Sequence, residues 1–319
     1  MRFALMIEPQ QGLTYDEQLA VARRAEAAGF ETLFRSDHYE SFPGPSDQPT
    51  TDAWTVLAGL ARDTTTIGLG VLVSPVMYRQ PGHLAKVVVT ADEMSGGRVE
   101  VGVGAGWHEQ EHRRYGFAFP EIAERADRLE ETLEILHGLW EGPDGWSYLG
   151  RHYTIDDALF RPRPGTIADR DGGRPRILVG GEGTPRSFRL AASYADEFNL
   201  SSSSPQVAAR KYAQLDEACR AAGRDPATLT RSSMVGVLVG RDPDEVRRRE
   251  GELLSAIGQA SAGEAWFEPR RARWIHGTPD RARASLAAFS EAGVERIMLQ
   301  DFLPRDLDMI DLAAEVLMR

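Results

Sequence analysis

A single cysteine, Cys219, stands among 319 residues. No disulfide can form within the chain, which fits a reducing, cytoplasmic setting. Long apolar runs are missing as well: nothing approaches the roughly 20 residues that span a bilayer. The opening stretch MRFALMIEP reads as an immediate strand and lacks the small-residue cleavage site of a signal peptide. Positive charge is in deficit, with 37 Lys and Arg against 48 Asp and Glu and a net charge of −11. That balance argues against nonspecific binding to nucleic acid or to an anionic membrane, although one local arginine can still receive an anionic ligand. Low-complexity tracts are absent, and 42% hydrophobic with 27% charged residues describes a globular chain able to bury a sizeable core. The expectation is a cytoplasmic enzyme acting on a small molecule.

What is present is alternation. Short apolar runs at 3–7, 32–35, 67–73, 99–103, 177–179, 198–200, 234–239 and 296–299 read as strands. Between them lie amphipathic helical patterns, the clearest being Ile122, Ala126, Leu129, Leu133, Leu136 and Trp140 at intervals of three and four. Eight strand–helix units imply parallel pairing and favour a (β/α)8 TIM barrel over a doubly wound sheet, which rarely needs eight regular repeats. No composition break marks a second domain, so 1–319 reads as one barrel with insertions after strands 4 and 7, near 142–174 and 258–275. The first insertion is Gly/Pro-rich and predicts a short hairpin. In such barrels the chemistry sits at the C-terminal ends of the strands. That rule directs attention to Glu8-Pro9-Gln10, Ser36-Asp37-His38, Ser74-Pro75, Ala105-Gly106-Trp107, Gly180-Gly181-Glu182, Ser201 to Ser204, Gly240 and Gln300-Asp301.

Four stretches carry chemistry or imitate it. Asp37-His38 follows the second strand, where an imidazole can move a proton and an adjacent carboxylate can orient it; the alternative is a pair of solvated loop residues. His108-Glu109-Gln110-Glu111-His112 spells H-E-x-x-H, the zinc-protease helix signature. Its glycine-rich lead-in is a poor helix entry and no third ligand stands out, so it reads as a decoy on a solvated turn, with no metal expected. Gly102 to Gly106 resembles a dinucleotide loop but has Trp107 where the final glycine belongs. Together with Gly68, Gly70, Gly180 and Gly181, these glycines read as strand ends bared for a flat ligand, or else as packing devices. Ser201 to Ser204 and Arg273 offer hydroxyls, amides and a guanidinium that could hold a phosphate.

The ordered set Ser36-Asp37-His38-Tyr39, Gly70 through Pro75, Tyr78-Arg79-Gln80-Pro81, Gly96-Gly97-Arg98 with Gly102 to Trp107, Glu124-Arg125 through Glu130, Gly180-Gly181, Tyr194-Ala195-Asp196, Arg273-Trp274-Ile275 and Gly277 to Asp280 resembles the luciferase-like superfamily of flavin and deazaflavin oxidoreductases. Within it, the chain is similar to the branch that depends on coenzyme F420. The resemblance implies a (β/α)8 barrel, a homodimer, and hydride transfer between F420 and a small organic substrate, with catalytic residues His38 and Asp37. It implies a cofactor site at Asp37, Gly70, Val71, Ala105, Gly106, Trp107, Gly180, Gly181, Ser201, Ser202 and Arg273. A strand bulge with a non-proline cis peptide would fall at Gly70-Val71. Three departures stand out: Trp107 occupies the place of a glutamate in resembling sugar-phosphate dehydrogenases, Ser204 that of a lysine, and Phe42 that of a tryptophan. The alternatives are an FMN-dependent luciferase-like monooxygenase and, more remotely, a metal-dependent barrel hydrolase built on Asp37, His38, His108 and His112.

Overall fold

The computed structural model describes residues 1–165 and 173–319; the remaining seven positions of the first insertion lie outside the described residues. In chain order the first half comprises β1 (Arg2–Ile7), α1 (Tyr15–Ala28), β2 (Thr32–Arg35), α2 (Ala53–Asp63), β3 (Gly68–Pro75), α3 (Pro81–Ser95), β4 (Val99–Gly104), α4 (Glu109–Tyr115) and α5 (Ile122–Glu141). Next come β5 (Trp146–Leu149), β6 (Thr154–Ala158), β7 (Arg176–Gly181), α6 (Pro185–Tyr194), β8 (Glu197–Ser201), α7 (Pro205–Ala221) and β9 (Thr230–Val239). The chain finishes with α8 (Pro243–Ala256), α9 (Glu264–Phe267), β10 (Ile275–Gly277), α10 (Pro279–Glu291), β11 (Arg296–Asp301) and α11 (Leu307–Leu317).

Strands β11, β1, β2, β3, β4, β7, β8 and β9 pair in that order, and β9 returns to β11, closing an eight-stranded barrel. Every pairing within it is parallel. These are the eight strands expected from the apolar runs. The hairpin expected in the first insertion is β5–β6, an antiparallel pair. Besides the short α9 in the second insertion, two elements were not expected. Strand β10 adds to β9 in parallel outside the closed ring, and α4 forms over the HEQEH stretch. Local signals set the helix ends. Thr14 and Glu17 form a reciprocal capping box at the start of α1, and Gly29 ends it with φ 91°, a left-handed conformation that glycine adopts without steric cost.

The interior of the barrel is filled from bottom to top. At the N-terminal end Arg296 is fully buried and donates to Glu100 Oε1 and Oε2 at 2.8 Å each, to Glu197 Oε2 at 3.0 Å and to Thr32 Oγ1 at 2.7 Å. These carboxylates hold the guanidinium pKa well above its ordinary value even though burial opposes it. Above it lies an apolar layer of Ala4, Met6, Phe34, Leu72, Leu178 and Met298, with Val73 and Met234 packed on its edge. A larger shell of apolar side chains, including Leu5, Leu33, Val71, Val101 and Ile177, seals the barrel against the helices.

Strand β3 breaks its ladder with β4 between Val71 and Ser74, and the Leu72–Val73 peptide is cis. The bulge expected at Gly70-Val71 is therefore two residues further along. Gly70 and Val71 still pair regularly with Phe34 and Arg35. Gly70 is a glycine for a different reason: a Cβ there would lie 2.3 Å from the Phe34 ring.

Replacing Arg296 by Met should leave the buried Glu100 and Glu197 with only the partly exposed Arg176 as a cation, at 3.7 and 3.2 Å. Loss of one partner from a buried ion cluster costs about 3–5 kcal/mol. Urea unfolding should show that loss as a lower midpoint with an unchanged slope, and an unshifted midpoint would refute the assignment.

Candidate active site

The stretch Arg35-Ser36-Asp37-His38-Tyr39 leaves β2 at the C-terminal rim, and its side chains part company there. Arg35 turns away from the rim and is buried, donating to Gln18 Oε1 at 3.1 Å and to the Thr51 carbonyl at 2.9 Å. Burial pushes its pKa down to about 10. Ser36 Oγ donates to Gln10 Oε1 at 2.6 Å, Gln10 Nε2 donates to Glu8 Oε2 at 2.8 Å, and Gln300 Nε2 donates to Glu8 Oε1 at 2.5 Å. A polar chain thus crosses the barrel mouth from β2 through the end of β1 to β11.

Asp37 does not orient His38. It is buried and ion-paired with Arg79, whose second nitrogen also meets Asp52 and Tyr39 Oη. The group that orients His38 is Glu111: His38 Nδ1 lies 2.9 Å from Glu111 Oε2. Tyr78 Oη donates to the same oxygen, while the Glu40 amide donates to Oε1 at 2.9 Å and the Tyr39 amide joins it there. Burial alone would raise the Glu111 pKa, but the donors outweigh it and hold the carboxyl below its ordinary value. A carboxylate in this position accepts a hydrogen bond from the ring nitrogen that faces it, here Nδ1.

The HEQEH stretch is therefore no solvated turn. Glu111 and His112 are fully buried. His112 packs against Tyr78 and Phe119 with ring centroids 4.8 and 4.7 Å apart, and its Nδ1 lies 2.9 Å from the His108 carbonyl oxygen. Burial lowers the pKa of both His108 and His112. Glu111 was missed because the motif was weighed as a metal site or a solvated turn, and neither reading gives the last carboxylate a part. Among the described residues, no cluster of three His, Cys, Asp or Glu side chains could hold a metal ion.

Around His38 the rim is aromatic. Phe42 lies edge-on at 4.5 Å, Trp107 at 5.9 Å and His108 at 6.2 Å. Trp107 is 64% exposed. Phe42 also borders a cavity of about 510 Å³ that runs to Ser202, Gln300, Trp266, Arg270 and Arg273. Ser202 has φ 37° and its amide donates to the Met234 carbonyl at 2.9 Å, which turns the chain at the end of β8. Arg270 lies over the Trp266 ring at 3.7 Å and donates to the Trp266 carbonyl at 2.6 Å. Burial and then the nearby Arg273 lower its pKa. The Arg273 amide donates to the Arg270 carbonyl at 2.8 Å, while its guanidinium has no hydrogen bond and no ion pair among the described residues. Two cations thus face one cavity without a carboxylate between them, which suits an anion.

The glycine clusters divide. A Cβ at Gly104 or Gly180 would lie 2.7 Å from a Val73 methyl group, so these two clear space for Val73, whereas a Cβ at Gly102 would lie 2.6 Å from the Val71 carbonyl oxygen. Gly181 alone opens onto free space within 4 Å. Gly106, at φ 78°, turns the chain beside the His112 ring, 3.4 Å from where its Cβ would be, and Ala105 next to it is half-buried. Gly70 and Val71 lie below the rim, and Val71 is fully buried in the outer shell. They do not belong to the site; Val73 takes the place expected for them. Ser201, the last residue of β8, remains at the rim beside Ser202.

A closed parallel barrel with a clamped imidazole, an aromatic wall and an unpaired arginine at its C-terminal mouth defines an enzyme of the (β/α)8 class. The chain belongs to the luciferase-like monooxygenase family, whose model matches residues 1–296. It is 33% identical over 297 residues to an F420-dependent glucose-6-phosphate dehydrogenase of Microbacterium testaceum, covering 87% of this chain and 84% of that protein. It is 25% identical over 319 residues to an FMNH(2)-dependent dimethylsulfone monooxygenase of Pseudomonas fluorescens, covering 90% and 82%. An F420-dependent secondary alcohol dehydrogenase structure superimposes with a TM-score of 0.82 at 22% identity, over 99% of this chain and 98% of that one.

Two predictions follow from this geometry. Asp301, at the end of β11, accepts from the Leu303 amide at 2.7 Å through one oxygen, and the other has no partner among the described residues. Burial first, with Asp306 adding to it, pushes its pKa up to about 7. A carboxyl raised in the fold above its ordinary value of about 3.9 favours folding at low pH, and that contribution is lost as pH rises from about 4 to about 7. Asp301→Asn should flatten this dependence, so that its thermal midpoint falls less between about pH 5 and about pH 8 than that of the parent. Gly104→Ala should cost about 1–3 kcal/mol by driving a methyl into Val73. The Gly104→Ala/Val73→Ala double variant should recover most of it, and simple additivity in a urea double-mutant cycle would refute the contact.

Proposed function

We propose that this protein is an oxidoreductase that uses coenzyme F420 to transfer a hydride to or from a small organic substrate. The observation that carries the reading is His38, clamped through Nδ1 by Glu111 and packed 4.5 Å from Phe42, which borders the cavity that also holds Arg273. The F420-dependent dehydrogenase similar over most of the chain supports the choice of cofactor. The residues fit it. Val73, packed on the apolar layer within the barrel, forms a floor, Gly181 leaves open space beside it, and Ser201, Ser202 and Arg273 offer hydroxyls and a guanidinium for the phosphate. Ala105, Gly106 and Trp107 form the adjoining edge of the rim, and Asp37, held by Arg79, fixes the β2 end of it.

When bound, the deazaflavin supplies a two-electron hydride site at C5, and the protein supplies orientation and electrostatics. His38 Nε2 takes a proton from, or returns it to, the substrate oxygen or nitrogen as the hydride moves. The resulting imidazolium is stabilised by Glu111. Phe42, Trp107 and His108 exclude water above His38 and present an apolar surface, so the substrate has an uncharged face. Trp107, in the place of the glutamate of sugar-phosphate dehydrogenases, supports a substrate other than a sugar phosphate. The same reading takes the chain as a cytoplasmic homodimer. The compartment is supported by the lone buried Cys219, and the dimer rests on the family resemblance.

Titration of the purified protein with F420 and with FMN tests the cofactor. Saturable F420 binding with FMN at least about tenfold weaker is expected, tenfold corresponding to 1.4 kcal/mol, and binding of FMN alone would replace the deazaflavin reading with the monooxygenase one. Arg273→Ala should weaken F420 binding about tenfold or more through the lost charge-assisted contact. With an alcohol or ketone substrate found by screening, His38→Ala should lower turnover about 10²–10⁴-fold while F420 affinity stays within a few-fold.

A further inference from the structure

We infer that Glu111 is a positioning residue that fixes the tautomer of His38, making Nε2 the sole proton-accepting atom presented to substrate. The inference rests on the reading of His38 as the proton-transfer group. It assigns a task to a carboxylate on a different element, the short helix α4.

Glu111 collects donors from two separate loops. The Tyr39 and Glu40 amides follow β2 and occupy Oε1, and the Tyr78 hydroxyl follows β3 and reaches Oε2. That leaves Oε2 facing His38 Nδ1 at 2.9 Å. The side chain is fully enclosed, so water cannot substitute for these donors, and no cation besides a protonated His38 contacts the carboxylate. Nε2, by contrast, has no hydrogen-bond partner among the described residues and is not one of the enclosed orphan nitrogens. The two ring nitrogens are thus in opposite circumstances, one sealed onto a carboxylate and the other open. A buried carboxylate that holds an imidazole in this way sets which nitrogen bears the proton and also stabilises the cation formed when the other nitrogen takes one. Asp37, adjacent in sequence, is committed to Arg79 and cannot share the task.

The balance is simple. In the resting state Nδ1 bears hydrogen and donates it to Glu111, and Nε2 holds the lone pair. Proton uptake at Nε2 gives an imidazolium whose Nδ1–H bond to Glu111 is retained. No proton need pass to Glu111.

The test uses the cofactor-free full chain with its histidines labelled with ¹⁵N, read by long-range ¹H–¹⁵N correlation. His38 is identified by the signal missing from a His38→Gln variant. In the parent protein the neutral form of His38 should carry its hydrogen on Nδ1 and leave Nε2 bare. In Glu111→Gln the amide oxygen stays with the two backbone amides, and the NH₂ group turns towards Nδ1. Nδ1 then becomes an acceptor, and the tautomer ratio should shift by at least about tenfold towards Nε2–H, as loss of a charge-assisted hydrogen bond implies. An Nε2–H tautomer in the parent, or an unchanged ratio in Glu111→Gln, overturns the inference. The parent spectrum decides even where the variant fails to fold. None of these readouts needs F420, so failure to bind that cofactor would sink the functional proposal and leave the tautomer result standing. With F420 bound, Glu111→Gln should keep the cofactor affinity within a few-fold and lose turnover.

Discussion

The rim of this barrel depends on one carboxylate. Glu111 joins the loop after β2, the loop after β3 and the helix after β4 at a single buried point. Each donor taken alone is an ordinary hydrogen bond, but together they offset the cost of burying a charge. The electrostatic result is a carboxyl held below its ordinary pKa. The geometric result is that three separately encoded segments share a reference point, so the imidazole of His38 is placed by the fold and not by the mobility of its own loop. Arg79 repeats the arrangement with the opposite sign, tying Asp37, Asp52 and Tyr39 to one guanidinium. The two nodes meet at Tyr39, whose amide serves one and whose hydroxyl serves the other.

Beneath the rim the constraint is volume. A closed barrel must fill its own interior, and side chains from alternate strands do so in layers. Here the lowest layer is an ion cluster about Arg296, whose guanidinium also lies 5.2 Å from the Phe34 ring centroid. Phe34 occupies the middle and requires Gly70 opposite it. Val73 stands at the top and requires Gly104 and Gly180. Three of the missing side chains on β3, β4 and β7, those of Gly70, Gly104 and Gly180, therefore follow from two residues, one aromatic and one branched. The floor they create is apolar and closed, and a ligand at the barrel mouth cannot sink below it.

Much of this was legible in the sequence, and the part that was not has a common cause. Strand number, parallel pairing, the hairpin in the first insertion and the helix ends follow from patterns within a dozen residues, where periodicity and caps act. His38 and Ser202 could be marked because they follow the C-terminal ends of β2 and β8, and Arg273 because it offers a guanidinium just ahead of β10. The Leu72–Val73 bulge was displaced by two residues because register is settled by the neighbouring strands β2 and β4, which the run GLGVLVSP does not itself record. The glycines looked like bare backbone for a ligand, since a sequence shows a missing side chain but not the neighbour that fills its place.

HEQEH is the sharpest instance. The spacing of its two histidines is a real helical spacing, and a helix does form there. Yet what a helix does with such a face depends on what packs against it. A metal site needs further ligands turned towards both imidazoles; here the opposing elements bring a histidine, a tyrosine and two backbone amides towards the carboxylate between them. The same residues thus become a clamp, with His112 packed among aromatic rings and Glu111 in contact with His38. The chemistry of the motif was set by Asp37-His38-Tyr39-Glu40, some seventy residues earlier in the chain, which is why neither stretch could be read correctly without the other.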